Sequence, residues 1–397
     1  MITALGLGCG TDRALAPVQA DAGPPLVEGG HAEDDAGIDG ATEAGGPATH
    51  APLPVVRYRG GPILASPHVV TVTFPGDPLR PRLEAFGDAI TQTAWWTAVA
   101  AGYCVQPAGT PCVGKGTGGG HVALAAAPDA VYSATAVASL VAARIADGTF
   151  PPPIAGTIYT LFFPASTTLQ DGLLKSCADF AAYHSFVKVP PPGADGGAAV
   201  SIAYVAIARC APAEADATIA AAHQILDTAT DPEGDAYATN DEAWSAFFLA
   251  EAADLCTPEP ATTESGFAVP RVWSNASATQ GHDPCVPRAP GESYFNASPP
   301  EKPVSLAPGE SATVDITPFA ESAGPDWTLK AVDYDELAGK LPTLALTMDR
   351  TTVNDGTRAK LTITLVNPPP ERGFGLFALV SRRGNQVHYF PGRVLPK

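Results

Sequence analysis

The alternation of apolar and polar residues divides the chain into two differently built parts. Between residues 55 and 297, short apolar runs alternate with longer segments whose apolar residues recur at helical spacing. The β-branched, alternating run HVVTVTF (68–74) predicts a strand, and the runs TIYTLFFPA (157–165) and VSIAYVAIARC (200–210) predict buried strands. The longer segments predict helices, PRLEAFGDAITQTAWWTAVAAGYC (81–104), AVASLVAARIADGTF (136–150) and EADATIAAAHQILDTATD (214–231). Alternating strands and helices indicate a mixed α/β domain over 55–297.

The pattern changes after residue 297. Short alternating segments separated by turn residues follow, VSLAPGESATVDITPF, LALTMDRTTVNDGTRAKLTITLVN and FGLFALVSRRGNQVHYFPGRV. They predict an all-β, Ig-like sandwich over 298–397. This region has no cysteine and no cluster of potential catalytic groups, which favours a stability or adhesion module. The fold class predicted for the whole chain is therefore α+β, a mixed α/β domain followed by a β-sandwich.

The net charge argues against two kinds of partner, and the composition favours an exported protein. The 397 residues carry a formal net charge of -18, which repels nucleic acid and anionic membrane surfaces. The chain contains 41 Pro and 39 Gly against 23 Lys and Arg, a balance that favours an exported protein over a cytosolic helical enzyme.

The N-terminal residues suggest how the protein is placed. MITALGLGCG loosely resembles a lipoprotein processing site, so residues 1–9 are interpreted as a partial signal in which Cys9 is lipidated. A basic segment is missing before the apolar run, so we expect part of the signal to be lacking. The alternative is an ordinary N-terminus with one cysteine. Residues 10–54 are rich in Ala, Gly, Pro and acidic residues and predict a disordered tether. These features predict a cell-surface or extracellular protein that contacts the membrane only through a lipid anchor.

The other six cysteines predict three disulfides. An even set in an exported chain is typical of a disulfide framework, and six cysteines allow 15 pairings. Sequence order suggests the pairs Cys104–Cys112, Cys177–Cys210 and Cys256–Cys285.

The predicted helix over 214–231 carries the strongest candidate site. His223 and Asp227 stand four residues apart, so a helix places both on one face. Zincins carry H-E-x-x-H, in which the Glu is the general base, but here that position is Gln224. An amide has no useful proton affinity, so efficient zincin-type peptidase activity is not expected.

Further ligands of a metal are expected nearby. One His and several carboxylates can bind Zn²⁺, and Glu251, Asp254 and His184 are the additional candidates. The alternative is that His223 is an ordinary hydrogen-bonded helix residue. A second metal hypothesis concerns DPEGDAYATNDE (231–242), which resembles a degenerate EF-hand loop. The acidic residues at its ligand positions, which would bind Ca²⁺, are Asp231, Glu233, Asp235 and Glu242. The alternative is an acidic surface turn.

These motifs resemble a known family. HQILDTATDP followed by EAADLC is similar to a pattern in the phosphate-induced protein 1 (EXORDIUM-like) family and its bacterial relatives. Further similar segments occur in the same order, YRGGPIL, AWWTAV, YTLFFPAS, SCADFAAYHSF and YVAIARC, so the resemblance covers about residues 55–290. It implies a cell-surface or extracellular protein with a zincin-like, metallopeptidase-type fold and no settled activity. By position, Gln224 and Asp227 depart from the pattern, whereas His223, Glu251 and Asp254 match it.

Three functions follow as hypotheses. The first is a non-catalytic surface lipoprotein whose degenerate domain binds a metal or a protein, peptide or cell-wall ligand. The second is a secreted zinc hydrolase, a peptidase that uses another base such as Glu251 or Glu242. The third is a metal-free wall- or glycan-binding protein that uses Trp and Tyr side chains in a cleft.

Overall fold

A computed structural model describes residues 50–190, 198–211, 213–370 and 372–397. The predicted partial signal, Cys9 and residues 10–49 of the predicted tether lie outside these described residues. Within them, no helix has both the length and the apolar character needed to cross a membrane.

A five-stranded sheet forms the centre of the first part. Its strands lie in the spatial order Thr117–Ala123, His68–Thr73, Thr157–Phe162, Val200–Ile207, Ala182–Val189. The first four are mutually parallel, and the edge strand Ala182–Val189 is antiparallel to Val200–Ile207. The three strands predicted from the apolar runs are confirmed, and all three are central strands of this sheet.

Helices cover both faces of this central sheet. Side chains alternate along each strand, so Ile158 packs on one face while Tyr159 packs on the other. Because both faces are buried, the strands read as continuous apolar runs, as parallel strands do. The first face packs against helices Arg80–Ala89 and Glu214–Thr230, and the second against helix Ala134–Ala146.

The long helix predicted over 81–104 is interrupted, and this prediction is wrong in extent. Helix Arg80–Ala89 continues into a 3-10 turn, Ile90–Gln92, and then stops. Thr93 has extended backbone, and its hydroxyl accepts a hydrogen bond from the Trp96 amide. A threonine in that position caps a new helix, Ala94–Val99, so the periodic apolar pattern is shared by two short helices.

Short elements complete the first part. The helices are Glu242–Phe248, Asn275–Thr279 and the 3-10 turn Asp254–Cys256. The strands are Val56–Tyr58, Val131–Ser133, Thr168–Asp171, Leu174–Lys175, Tyr237–Thr239, Thr262–Glu264, Phe267–Val269, Val272–Trp273 and Cys285–Val286. Three disulfides join Cys104 to Cys112, Cys177 to Cys210 and Cys256 to Cys285, which confirms the pairing predicted from sequence order.

The second part, called the sandwich, consists of two packed sheets. One sheet has the order Phe295–Ser298, Ser311–Ala320, Ala359–Leu365, Leu344–Met348. The other has the order Val304–Leu306, Gln386–Pro396, Gly375–Arg383, Trp327–Asp333, Thr352–Val353, and a short helix, Tyr334–Leu337, follows the fourth of these. Strand Phe295–Ser298 belongs to the sandwich, although its first residues fall inside the predicted range of the first domain. The alternating pattern arises because Leu361 and Ile363 point into the core between the sheets.

Aromatic side chains join the two parts. Trp244 on helix Glu242–Phe248 lies 5.4 Å from Phe390 of the sandwich, measured between ring centroids. Phe247 on the same helix lies 6.0 Å from Tyr389. The hydrophobic core of the first part therefore continues into the sandwich.

Candidate metal site

Helix Glu214–Thr230, called the site helix, runs from the surface into the interior. Its first turn carries Glu214 and Asp216, whose charges favour the helix N-terminus. Every residue from 221 to 230 is buried, so the second half of the helix is enclosed on all sides. His223 and Asp227 lie in that half, 7% and 0% exposed. The predicted helix and the placement of both residues on one face are confirmed.

Two carboxylates converge on one imidazole. His223 Nε2 lies 3.0 Å from Asp227 Oδ2 and 3.2 Å from Asp254 Oδ1. Asp254 begins the 3-10 turn Asp254–Cys256 and is 2% exposed. Ligand atoms of the three residues all lie within 4.8 Å of one another, the spacing of a group that can hold a metal ion.

Main-chain amides orient both carboxylates. Asp227 Oδ1 accepts a hydrogen bond from the Ala253 amide at 3.0 Å, and Asp254 Oδ2 accepts one from the Glu251 amide at 3.0 Å. Each carboxylate therefore uses one oxygen on the backbone and turns the other towards His223. Such outer hydrogen bonds fix ligand orientation in metal sites.

The donor set fits a divalent cation. Zn²⁺ binds imidazole nitrogen and carboxylate oxygen at roughly 2.0–2.2 Å, which places tetrahedral ligands roughly 3.3 Å apart. The distances of 3.0 and 3.2 Å from His223 Nε2 are close to that spacing. Two buried carboxylates against one imidazole also concentrate negative charge, which a cation offsets. One nitrogen and two oxygens suit zinc or a harder ion such as manganese.

A second layer surrounds Gln224, which is 3% exposed. His184 comes from the edge strand Ala182–Val189, and its Nδ1 lies 3.0 Å from Gln224 Oε1. His184 Nε2 lies 3.2 Å from the Asp231 carbonyl and 3.6 Å from Glu251 Oε1. Both ring nitrogens thus face oxygens. A doubly protonated His184 satisfies both, and so does a neutral ring if the amide of Gln224 is turned to donate.

The structure brings the six predicted site residues into one buried cluster. Three of them form the group with ligand spacing, and His184 and Glu251 lie outside that group, in the layer around Gln224. Sequence reasoning missed the amides of residues 251 and 253 as orienting donors, because backbone groups leave no residue-type signal. The sequence analysis placed Asp231 in the calcium loop and did not predict that its carbonyl contacts His184.

The calcium loop stays a prediction. Neither group with metal-ligand spacing found among the described residues contains Asp231, Glu233, Asp235 or Glu242. Asp231 is buried, its Oδ1 accepts a hydrogen bond from the Ala236 amide at 2.8 Å, and burial raises the pKa of its carboxyl. Residues Tyr237–Thr239 form a strand paired with Val56–Tyr58. Glu242 starts a helix and pairs with Arg393 of the sandwich. The would-be ligands are therefore carried by different elements.

A second group with ligand spacing does not fit a metal. It contains Glu259, Asp283 and Cys285, whose candidate ligand atoms lie within 4.8 Å of one another. The Cys285 sulfur is bonded to Cys256, so it supplies no thiolate. Two carboxylates remain, and one of them, Glu259, is paired with His388.

Comparison with known proteins adds little. No family model and no curated protein matches the chain. A conjugative transposon lipoprotein from Bacteroides eggerthii is 14% identical over 25% of this chain and 92% of its own, with a TM-score of 0.18. The titin M3 domain is 14% identical over 26% of this chain and 99% of its own, with a TM-score of 0.16. A chimeric titin Z1Z2 is 23% identical over 24% of this chain and 43% of its own, with a TM-score of 0.17. Scores this low carry no argument about fold or function.

Proposed function

We propose that this protein is an exported, disulfide-stabilised surface protein whose first part is a degenerate zincin-like domain that binds a metal without hydrolysing peptides. In this proposal Cys9 carries a lipid anchor, and the Ig-like sandwich holds or spaces the domain. Three disulfides support an oxidising compartment. The mixed sheet and the site helix bearing His223 and Asp227 support the zincin-like assignment.

The proposal that the domain does not hydrolyse peptides rests on the amide side chain of Gln224. Its side chain stands at the general-base position and contacts His184 at 3.0 Å. An amide cannot take a proton from a metal-bound water, and general-base catalysis typically contributes about 10²–10⁴-fold to rate. A metal held by His223, Asp227 and Asp254 would supply Lewis-acid chemistry, but the residue beside it cannot move the proton.

Burial supports binding over turnover. The three ligand residues are 7%, 0% and 2% exposed, in the order His223, Asp227, Asp254. A peptide bond must approach the metal closely to be cleaved, and side chains this covered leave little surface for a substrate. A small cation needs only the three ligand atoms and a path for itself.

Metal analysis tests the proposal. Protein purified without chelator is expected to hold about one equivalent of a divalent metal, and the His223→Ala variant is expected to lose it. His121→Ala is the matched control, because His121 pairs with Asp88 on the surface and is 36% exposed. Digestion of a peptide library by zinc-loaded protein is expected to give no cleavage. Zinc-dependent cleavage that His223→Ala abolishes would overturn the proposal.

One observation favours a zinc hydrolase as the second candidate. Glu251 is a carboxylate in the layer beside the ligands, 3.6 Å from His184 Nε2, and its amide donates to Asp254. A base in this layer is what that function needs. The discriminating variant is Glu251→Gln. It removes cleavage if Glu251 is the base, and it leaves metal content intact in either case.

A glycan-binding function has less support. Trp95 and Trp96 are 1% and 0% exposed, and their ring N–H groups donate to the carbonyls of Pro270 and Gly114. The other three tryptophans are also buried. Stacking on a sugar requires an open aromatic face. Retention on peptidoglycan in the presence of chelator would restore this candidate.

A further inference from the structure

A buried cluster of charged residues lies where the first part meets the sandwich. Glu259 follows the 3-10 turn Asp254–Cys256, and Asp283 precedes strand Cys285–Val286. His388 lies on the sandwich strand Gln386–Pro396, and its Nδ1 is 2.7 Å from Glu259 Oε1. The side chains of His388 and Glu259 are 3% and 7% exposed. We call Glu259, Asp283 and His388 the junction cluster.

Few other charges face the junction cluster. Arg271 lies 3.7 Å from Asp283 Oδ2, but its stronger contact is with Glu292 at 2.7 Å. Tyr294 packs edge-on against the His388 ring at 5.1 Å between centroids. Tyr389, next to His388 on the same strand, is the remaining titratable group that lines the junction. Within the cluster, the pair between His388 and Glu259 is the ionic contact that crosses from one part to the other. Glu321 of the sandwich forms two more crossing pairs, with His282 and Arg288.

One nitrogen of His388 is placed to exchange a proton. Nδ1–H can donate to Glu259 whether the ring is neutral or charged. Nε2 is buried and has no hydrogen-bond partner among the described residues. His388, Asp283 and Trp273, among others, line a cavity of about 20 Å³, which is room for one water. A proton can therefore enter or leave Nε2 without breaking a bond between protein groups.

We propose that the junction cluster is a proton-dependent lock that holds the sandwich against the first part of the chain under mildly acidic conditions and loosens as the pH rises. Protonation makes His388 a cation paired with Glu259 across the junction. Loss of that proton leaves a neutral ring facing two buried carboxylates. The proposal does not depend on a metal at His223, because no residue of the junction cluster belongs to that group.

The direction of the effect follows from both titrating groups. Burial lowers the pKa of His388, but the charge and hydrogen bond of Glu259 outweigh it, so the pKa is raised. The stabilisation is complete below the unfolded pKa of about 6.5 and is lost as pH rises through the higher folded value. Burial raises the pKa of the Asp283 carboxyl to about 6. The folded state therefore loses stability as the pH rises towards 6 and this buried carboxyl ionises. Deprotonation of either group therefore weakens the junction as the pH rises.

The first test follows the histidine ring signals by NMR as a function of pH. The His388 signal, assigned through its backbone in the wild-type protein, is expected to titrate above about pH 6.5. The Glu259→Gln variant is expected to lower that midpoint, because it removes the opposing charge. A His388 midpoint at or below the ordinary value overturns the proposal, and this measurement needs no variant to fold.

The second test is a double-mutant cycle of His388→Gln and Glu259→Gln, read as shifts in unfolding temperature. The coupling between the two changes is expected to be largest near pH 6 and to fall by more than half near pH 9. The surface pair His121 and Asp88, 3.0 Å apart, is the matched control and should show little coupling. Coupling at His388 that is equal at both pH values, or no greater than the control, overturns the proposal.

Discussion

Asp227 reaches from the site helix to the Ala253 amide, which donates to its Oδ1 at 3.0 Å. The same carboxylate presents Oδ2 to His223. One side chain therefore performs two tasks: it offers a ligand atom, and it holds in place the segment that carries Asp254. Separating these tasks is the most direct way to examine the site.

We expect Asp227→Asn and Asp227→Ala to differ sharply. The amide of Asn can still accept from Ala253 but offers no charge, so metal binding should fall while most stability remains. Ala removes the acceptor and leaves buried polar groups unpaired, which should cost about 2–4 kcal/mol in the free energy of unfolding. Urea unfolding and metal titration of both variants check this. Equal stability of the two variants would contradict the assigned hydrogen bond.

Chelation is expected to lower the unfolding temperature of the wild-type protein. A ligand present at 100 times its dissociation constant stabilises the folded state by about 2.7 kcal/mol, and removal of the metal forfeits that gain. Scanning calorimetry with and without a chelator measures the shift. Asp254→Ala should be insensitive to chelator, whereas Asp88→Ala, a change at an exposed carboxylate, should respond as the wild type does.

Asp231 should produce a pH-dependent difference from its Asn variant. Burial raises the pKa of the Asp231 carboxyl, so the folded state loses stability as the pH rises from the unfolded value of about 3.9 through the folded pKa. Asn keeps an acceptor for the Ala236 amide and has no charge to bury. We therefore expect Asp231→Asn to gain stability relative to wild type as pH rises from about 4 to 7. A difference that does not vary with pH would argue against this.

Removal of the Cys256–Cys285 disulfide should affect both stability and the site. It closes 29 residues, for which chain entropy gives about 3.6 kcal/mol. Cys256 ends the 3-10 turn that begins at Asp254, so metal affinity should also fall in the Cys256→Ala/Cys285→Ala variant. The control is Cys104→Ala/Cys112→Ala, which opens a separation of 8 residues and should cost about 2.5 kcal/mol without affecting metal affinity. Unfolding and metal titration distinguish the two.

Local sequence spacing predicted the parts of the site that lie on one element. His223 and Asp227 are related by the helical repeat alone. The apolar runs at 157–165 and 200–210 predicted buried strands, which the structure confirms. Asp254 was expected near them only from the order of two short motifs. Its contact depends on the Ala253 and Glu251 amides, which no residue pattern reveals.

Two causes explain what the sequence did not predict: contacts between residues far apart in the chain, and local helix capping. No residue pattern indicated that strand Tyr237–Thr239, inside the acidic segment 231–242, pairs with Val56–Tyr58, far away in sequence. The helix break at Thr93 depends on a cap competing with a continuous apolar pattern. The contact between Glu259 and His388 spans 129 residues and had no sequence signal.

The position of strand Gln386–Pro396 also bears on the order in which the protein can be assembled. This strand supplies Tyr389 and Phe390 to the aromatic contact with helix Glu242–Phe248, and the other sandwich strands precede it in the chain. During vectorial synthesis, the ring surfaces of Trp244 and Phe247 that contact Phe390 and Tyr389 stay uncovered until this strand arrives. A nascent chain halted before residue 386 would expose apolar surface on that helix, so a chaperone that binds apolar segments would bind there.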